Sequence, residues 1–161
     1  MRLSRKVALL VGAGKGCGQA IACALARDGA DVAVADFKQG SAEETAKLVE
    51  EQGRKSLAIK VDPRSADEVE AMIHQVVDEF GKIDAMICNL SVVTSAQIVD
   101  TGEEDWDLNM DFNAKGIFIC CRGVAKRMVE QGSGKIVNIS SMYGKSGGLL
   151  LGAYAASKAA V

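Results

Sequence analysis

The chain has 161 residues, of which 48% are hydrophobic, enough for one domain with a real core. Its 19 basic and 21 acidic residues leave a formal charge of -2, a near balance that argues against a nucleic-acid partner or an anionic membrane surface. The longest apolar runs are too short to span a bilayer, and the start from Met1 to Lys6 shows no signal peptide, so a cytoplasmic protein is expected.

Short β-branched or apolar runs alternate with longer stretches of helical spacing, the pattern of an α/β domain with a parallel sheet. In chain order the reading begins with a strand at about Lys6 to Val11 and a helix from about Gly16 to Asp28. A strand from Asp31 to Asp36 precedes a helix from Ser41 to Gln52, for which Ser41 and Glu44 supply a capping box. A third strand runs from about Ser56 to Val61. The next helix, about Ser65 to Phe80, is the most clearly amphipathic, with Val69, Met72, Ile73, Val76, Val77 and Phe80 on its core face. Ser65 and Glu68 repeat the capping-box signal, and Gly81 ends the helix.

A fourth strand from Ile83 to Cys88 leads through a Ser/Val/Thr loop to a long helix from about Glu103 to Gln131, with a break near Asn113. Its centre, Ile117 to Cys121, is apolar on several faces, so a partner subunit could cover part of it. A fifth strand from Lys135 to Ser140, a Gly- and Leu-rich loop and a helix starting near Ala153 complete the order. The chain stops at Val161 soon after that helix begins and without a stop signal. A dinucleotide-binding sheet of this kind would continue with a further strand, so the end reads as a truncation and the fifth strand as an open edge.

Cys17, Cys23, Cys88, Cys120 and Cys121 form no C-x-x-C pair and no Cys/His metal spacing. No metal site is expected, and the cysteines read as buried free thiols of a reducing compartment. His74 lacks a second ligand type nearby and reads as a surface or boundary residue.

Two groups of residues carry chemistry. The segment Gly12-Ala13-Gly14-Lys15-Gly16-Cys17-Gly18 follows a strand and opens a helix. Glycines let such a turn approach a pyrophosphate, and the helix N-terminus offers it free N–H groups and a positive dipole end. Asp36, which ends the second strand 18 residues after Gly18, suits the adenosine ribose hydroxyls and repels a 2′-phosphate. That favours NAD over NADP, although Lys15 and Lys38 argue mildly the other way. Asp36 would also suit an ordinary turn at a strand end.

The second group is Tyr154 and Lys158, four apart on one helix face. A nearby ammonium favours phenolate over phenol, so the tyrosine can shuttle a proton to or from an alcohol oxygen. Ser141 lies 13 residues upstream at the end of the fifth strand, where open α/β sheets bind ligands.

Together these residues resemble the classical branch of the short-chain dehydrogenase/reductase family. The resemblance spans the chain and rests on Gly12-x-x-x-Gly16-x-Gly18, Asp36, Asp62, Asn89, Asn113, Ile139-Ser140-Ser141 and Tyr154-Ala155-Ala156-Ser157-Lys158. It implies a Rossmann-like doubly wound parallel sheet in three αβα layers, lacking the last strands and helices. The cofactor site it implies comprises Gly12, Gly14, Lys15, Gly16, Cys17 and Gly18 at the pyrophosphate, Asp36 and Phe37 at the adenosine ribose, Asp62 at the adenine and Asn89 beside the cofactor. Ser141 would bond the substrate oxygen, with Ser140 the neighbouring choice, and Tyr154 would be the general acid/base. Lys158 would assist Tyr154 and bind the nicotinamide ribose, and Asn113 would perturb its helix and hold a water.

The sequence departs from the family pattern at Val11 (usually Thr), Cys17 (usually Ile), and in Cys88-Asn89-Leu90-Ser91 (usually Asn-Asn-Ala-Gly). The expected activity is interconversion of a small-molecule secondary alcohol and ketone, with oxidation the favoured direction, by a full-length homo-oligomer (dimer or tetramer). The loop from Met142 to Ala153 offers Tyr143, Leu149, Leu150 and Leu151 as substrate walls or as packing for missing elements. The rival readings are a cofactor-binding pseudoenzyme or fragment, and a nucleotide-fold methyltransferase, which has no need of Ser141, Tyr154 and Lys158 in this order.

Overall fold

The computed structural model describes residues 1–161. Five parallel strands form one sheet in the order β3-β2-β1-β4-β5. They are β1 (Val7–Val11), β2 (Asp31–Asp36), β3 (Ser56–Lys60), β4 (Ala85–Cys88) and β5 (Lys135–Asn138). Helices α1 (Gly16–Arg27), α2 (Gln39–Glu50) and α3 (Ala66–Phe80) follow the first three strands in turn. After β4 come a 3₁₀ turn (Ile98–Asp100), α4 (Glu103–Asn109), a π-helical stretch (Met110–Lys115) and α5 (Gly116–Gln131). Past β5 lie the single turn α6 (Tyr143–Ser146) and α7 (Gly152–Ala160).

The doubly wound arrangement can be read in β1, which is buried along its whole length. Val7, Leu9 and Val11 face the core made with α3 and α5, where Val69, Met72, Val76, Ile117, Cys120 and Val124 meet them. Ala8 and Leu10 face the other way, onto Ala22 and Ala26 of α1 and Ala42, Ala46 and Val49 of α2. Successive strand side chains point to opposite faces, so a strand buried on both must be apolar throughout. Small residues dominate the second face, which lets α1 and α2 lie close to the sheet. Chain reversal at β1 puts the outward turns to β2 and β4 on either side of a crevice at the strands' carboxyl ends.

Several elements differ from expectation. Helix α2 begins at Gln39, with Lys38 as its N-cap and no side-chain cap, so the Ser41–Glu44 capping box does not form. The Asp36 carboxylate accepts the Lys38 N–H at 3.0 Å, which tightens the turn and starts the helix early. Ser41 is buried inside its first turns instead. At α3 the Ser65 hydroxyl does accept the Glu68 N–H at 3.2 Å, and Gly81 closes the helix at φ 80°. The Glu68 carboxylate, however, accepts from Asp62 N at 2.8 Å, so only half of a capping box is made. The break near Asn113 is the π-helical stretch, and β4 and β5 are each two residues shorter than expected.

Of the thiols, Cys88 and Cys120 are buried, Cys23 and Cys121 are half-buried, and Cys17 is exposed on α1, correcting the expectation for that residue. A hydrogen bond with Cys120 and burial push the Cys88 thiol far up, so it stays protonated. His74 is a surface residue 3.5 Å from Glu70. Strand β5 is a sheet edge whose four residues are exposed. No helix is long and apolar enough to cross a membrane.

Candidate active site

The glycine turn is built by close approach of three backbone segments. Gly12 adopts φ 79°, and a Cβ there would lie 2.6 Å from the Asn89 carbonyl oxygen. A Cβ on Gly18 would lie 2.3 Å from Gly12 O, so α1 can start this near the turn only as glycine. Asn89 locks the arrangement by donating its amide to Gly12 O at 3.0 Å. The first turn of α1 carries no acidic residue and no side-chain cap, and Lys15 is its N-cap residue. Uncapped N–H groups beside a lysine are the donor set that an anionic pyrophosphate needs, so the residues fit a dinucleotide.

A cleft of about 320 Å³ opens beside this turn, lined by Gly12, Lys15, Asp36, Phe37 and Asn89 among the expected residues. Asp36 is held there by accepting the Gly14 N–H at 2.8 Å as well as that of Lys38. Phe37 is 46% exposed at the rim. Lys38, Leu90 and Ser91, each singled out in the sequence, also line the cleft, and so do Ser41, Val61, Pro63 and Phe112, which were not read as site residues. Only Pro63, as the chain's sole proline, carried any local signal. Asp62 does not line the cleft. Its carboxylate takes Arg64 Nε at 2.9 Å and Arg64 Nη2 at 2.6 Å, and the Arg64 hydrogen bond holds it below the usual carboxylate range against the opposing effect of burial. Leu90, bulkier than the family's usual residue, is 3% exposed and packs into the core near Gly116 at the inner wall of the cleft.

Asn113, Ser141, Tyr154 and Lys158 lie outside that cleft, and Leu90 joins the two regions. The Lys158 ammonium, in a residue 3% exposed, donates to Leu90 O at 2.7 Å and Ile139 O at 3.0 Å, spanning the ends of β4 and β5. Burial lowers the Lys158 pKa, and its neighbours Tyr154 and Cys88 pull it partly back. Asn113 is fully buried; its oxygen accepts from Val92 N at 2.7 Å, and its amide donates to Val92 O at 2.8 Å and to Ser157 Oγ at 2.9 Å. A π-helical residue with its amide fully engaged explains the local distortion of the helix.

Ser141 is half-buried, and its hydroxyl oxygen accepts the Tyr143 N–H at 3.2 Å, leaving its own O–H free to donate. Ser140 is committed elsewhere, donating to Lys158 O at 2.6 Å. Tyr154 is half-buried on α7. In the loop before α7, Leu149 is 91% exposed and Leu150 42%, while Leu151 bridges to Ala96 in the loop after β4.

Residues 6–161 match the family model described as short chain dehydrogenase. The chain belongs to the short-chain dehydrogenase family, a family of nucleotide-binding oxidoreductases. It is 43% identical over 156 residues to a short-chain dehydrogenase/reductase of Armillaria gallica, covering 95% of this chain and 60% of that one. It is 39% identical over 159 residues to the 3-oxoacyl-[acyl-carrier-protein] reductase FabG of Staphylococcus aureus, covering 97% and 64%. A crystal structure of an NAD+-bound xylitol dehydrogenase superposes with a TM-score of 0.97 at 32% identity, covering 99% of this chain and 62% of that one. The chain thus spans 60% to 64% of the length of these proteins.

Proposed function

We propose that this chain carries the cofactor-binding and catalytic residues of an NAD-dependent enzyme that interconverts a secondary alcohol and a ketone, with Tyr154 as general acid/base. The observation that carries the reading is the buried Lys158 ammonium, fixed on two backbone carbonyls one helical turn from Tyr154. A structural lysine gains little from such burial, since desolvation opposes its charge; a lysine that assists a phenol gains a function from it.

In this reading Gly12, Gly14, Gly16 and Gly18 form the turn that receives the pyrophosphate, with Lys15 and Cys17 beside it. Asp36 holds the adenosine ribose; its carboxylate faces the cleft and repels a 2′-phosphate, which favours NAD, with NADP the less favoured partner. Phe37 flanks the adenosine and Asn89 completes the cofactor contacts, whereas Asp62, expected at the adenine, is paired with Arg64 outside the cleft. When bound, a nicotinamide supplies or takes up the hydride. Ser141 donates its free O–H to the substrate oxygen, orienting it toward Tyr154. Tyr154 takes the proton from the alcohol or returns it to the ketone. Lys158 keeps positive charge beside the phenol and reaches the nicotinamide ribose, and Asn113 holds the helix geometry and a relay water. The partner is a small-molecule alcohol or carbonyl compound, and Phe118 and Val129, exposed on α5, support assembly with further copies.

The test is Tyr154→Phe, read by reduced-nicotinamide absorbance with a panel of secondary alcohols and by NADH binding. Turnover should vanish while NADH affinity stays within about threefold, because only the hydroxyl is removed. Retained turnover would reject the assigned role.

A further inference from the structure

We propose that Ser157 is a positioning residue for Tyr154, setting the rotation of α7 through Asn113. The proposal rests on the catalytic reading of Tyr154. Ser157 is fully buried. Its hydroxyl donates to the Tyr154 carbonyl oxygen at 2.7 Å and accepts the Asn113 amide at 2.9 Å. Asn113 in turn is bonded to both the N–H and the carbonyl of Val92. A continuous chain of hydrogen bonds therefore runs from the loop after β4, through the π-helical stretch, to the backbone of Tyr154.

Lys158 makes a second connection to the same loop, through Leu90 O at 2.7 Å. With about 100° per residue, Ser157 projects about 60° to one side of Tyr154 around the helix axis, and Lys158 about 40° to the other. The two anchor points therefore straddle the phenol. Rotating α7 one way stretches the Lys158 contact; rotating it the other way breaks the Ser157 contact. Lys158 alone cannot do this, because a flexible four-carbon stem accommodates helix rotation that a one-carbon serine does not. Asn113 has no other acceptor for that amide N–H, so removing the Ser157 hydroxyl leaves a buried donor unpaired and frees the helix to adjust.

The experiment compares Ser157→Ala and Ser157→Thr with the parent protein and Tyr154→Phe. The readouts are kcat with NAD+ and secondary alcohols, KM, NADH affinity and thermal unfolding. Ser157→Ala should lose about tenfold or more in kcat while NADH affinity stays within about twofold, and Ser157→Thr, which restores the hydroxyl, should regain most of the loss. Should Ser157→Ala fail to fold, Ser157→Cys, close in volume but a weak hydrogen-bond partner, carries the same expectation. Parent-like kcat in Ser157→Ala beside an inactive Tyr154→Phe would overturn this inference and leave the catalytic reading standing. Equal losses of kcat and NADH affinity, not rescued by threonine, would show a merely structural role and overturn it too. A parent protein that binds NADH but shows no turnover dependent on Tyr154 would overturn the catalytic reading and this inference with it.

Discussion

Replacing Gly18 by alanine measures how tightly α1 is held against the glycine turn. The added methyl would lie 2.3 Å from Gly12 O, 2.8 Å from Ala13 Cα and 3.1 Å from Asn89 Nδ2. The first two are backbone atoms that cannot swing aside, and a normal heavy-atom contact of roughly 3.5 Å requires the helix start to retreat by about 1 Å. Overpacking of that kind costs about 1–3 kcal/mol. Loss of the Asn89–Gly12 hydrogen bond adds about 1 kcal/mol. At about 2–4 °C per kcal/mol for a domain of this size, the sum predicts a fall in Tm of roughly 5–15 °C. The retreat also withdraws the N–H groups offered to the pyrophosphate, so NADH affinity should fall with stability. Gly40→Ala is the control: it lies within α2 with nothing within 4 Å of the added Cβ, and should gain up to about 1 kcal/mol. Thermal unfolding by circular dichroism and a fluorescence titration with NADH read both effects. Parent-like Tm and affinity in Gly18→Ala would show that α1 does not sit against the turn as described.

Three further outcomes follow from the placement of charged groups. Asp36→Ala removes the carboxylate from a cleft that Lys15 and Lys38 also line. The NADPH-to-NADH affinity ratio should rise about tenfold or more, and an unchanged ratio would remove Asp36 from cofactor selection. Asp84 sits at the opposite end of the sheet, accepting from Val7 N at 2.9 Å, Lys6 at 3.0 Å and Lys82 at 2.9 Å. Burial alone would raise its carboxyl, but the hydrogen bonds from Lys82, Val7 N–H and Lys6 together hold it below the ordinary value of 3.8. Its stabilisation is therefore present above that value and lost as pH falls through the lower folded one. Asp84→Asn should be less stable than the parent in urea at neutral pH, with the difference shrinking in acid; a pH-independent gap would refute the ion-pair account. For Lys158 the sign is opposite. Burial lowers its pKa from 10.5, so the cost of the buried ammonium is full below the folded value and is relieved as pH rises toward the ordinary one. Lys158→Met should lack that alkaline gain in stability relative to the parent and should have no turnover. A parent-like alkaline profile would mean that the ammonium is not buried.

The α/β class, the order of the elements and the candidate residues of the glycine turn were legible in the sequence, because they rest on local patterns. Apolar runs that suit strands buried on both faces, amphipathic spacing in α3, and a glycine turn between strand and helix all depend on near neighbours in the chain. The Tyr154–Lys158 face followed from helical spacing in the same way. Ser65 capped α3 as expected, while Ser41 did not cap α2, because a carboxylate at the end of β2 had already closed the turn around Lys38. That difference came from the Asp36 side chain reaching across to the turn that follows it.

What tertiary structure alone decided is how segments distant in sequence meet. Phe112, Pro63 and Ser41 join the cleft from three different connections, and Asp62 turns away from it to Arg64. Leu90 sends its side chain into the core while its carbonyl receives Lys158, 68 residues later. Ser157 acquires a role only when Asn113, 44 residues earlier, is folded against it. Hydrogen bonds and burial are properties of groups brought within a few ångströms, and the winding of the sheet, not the spacing of letters, determines which groups those are.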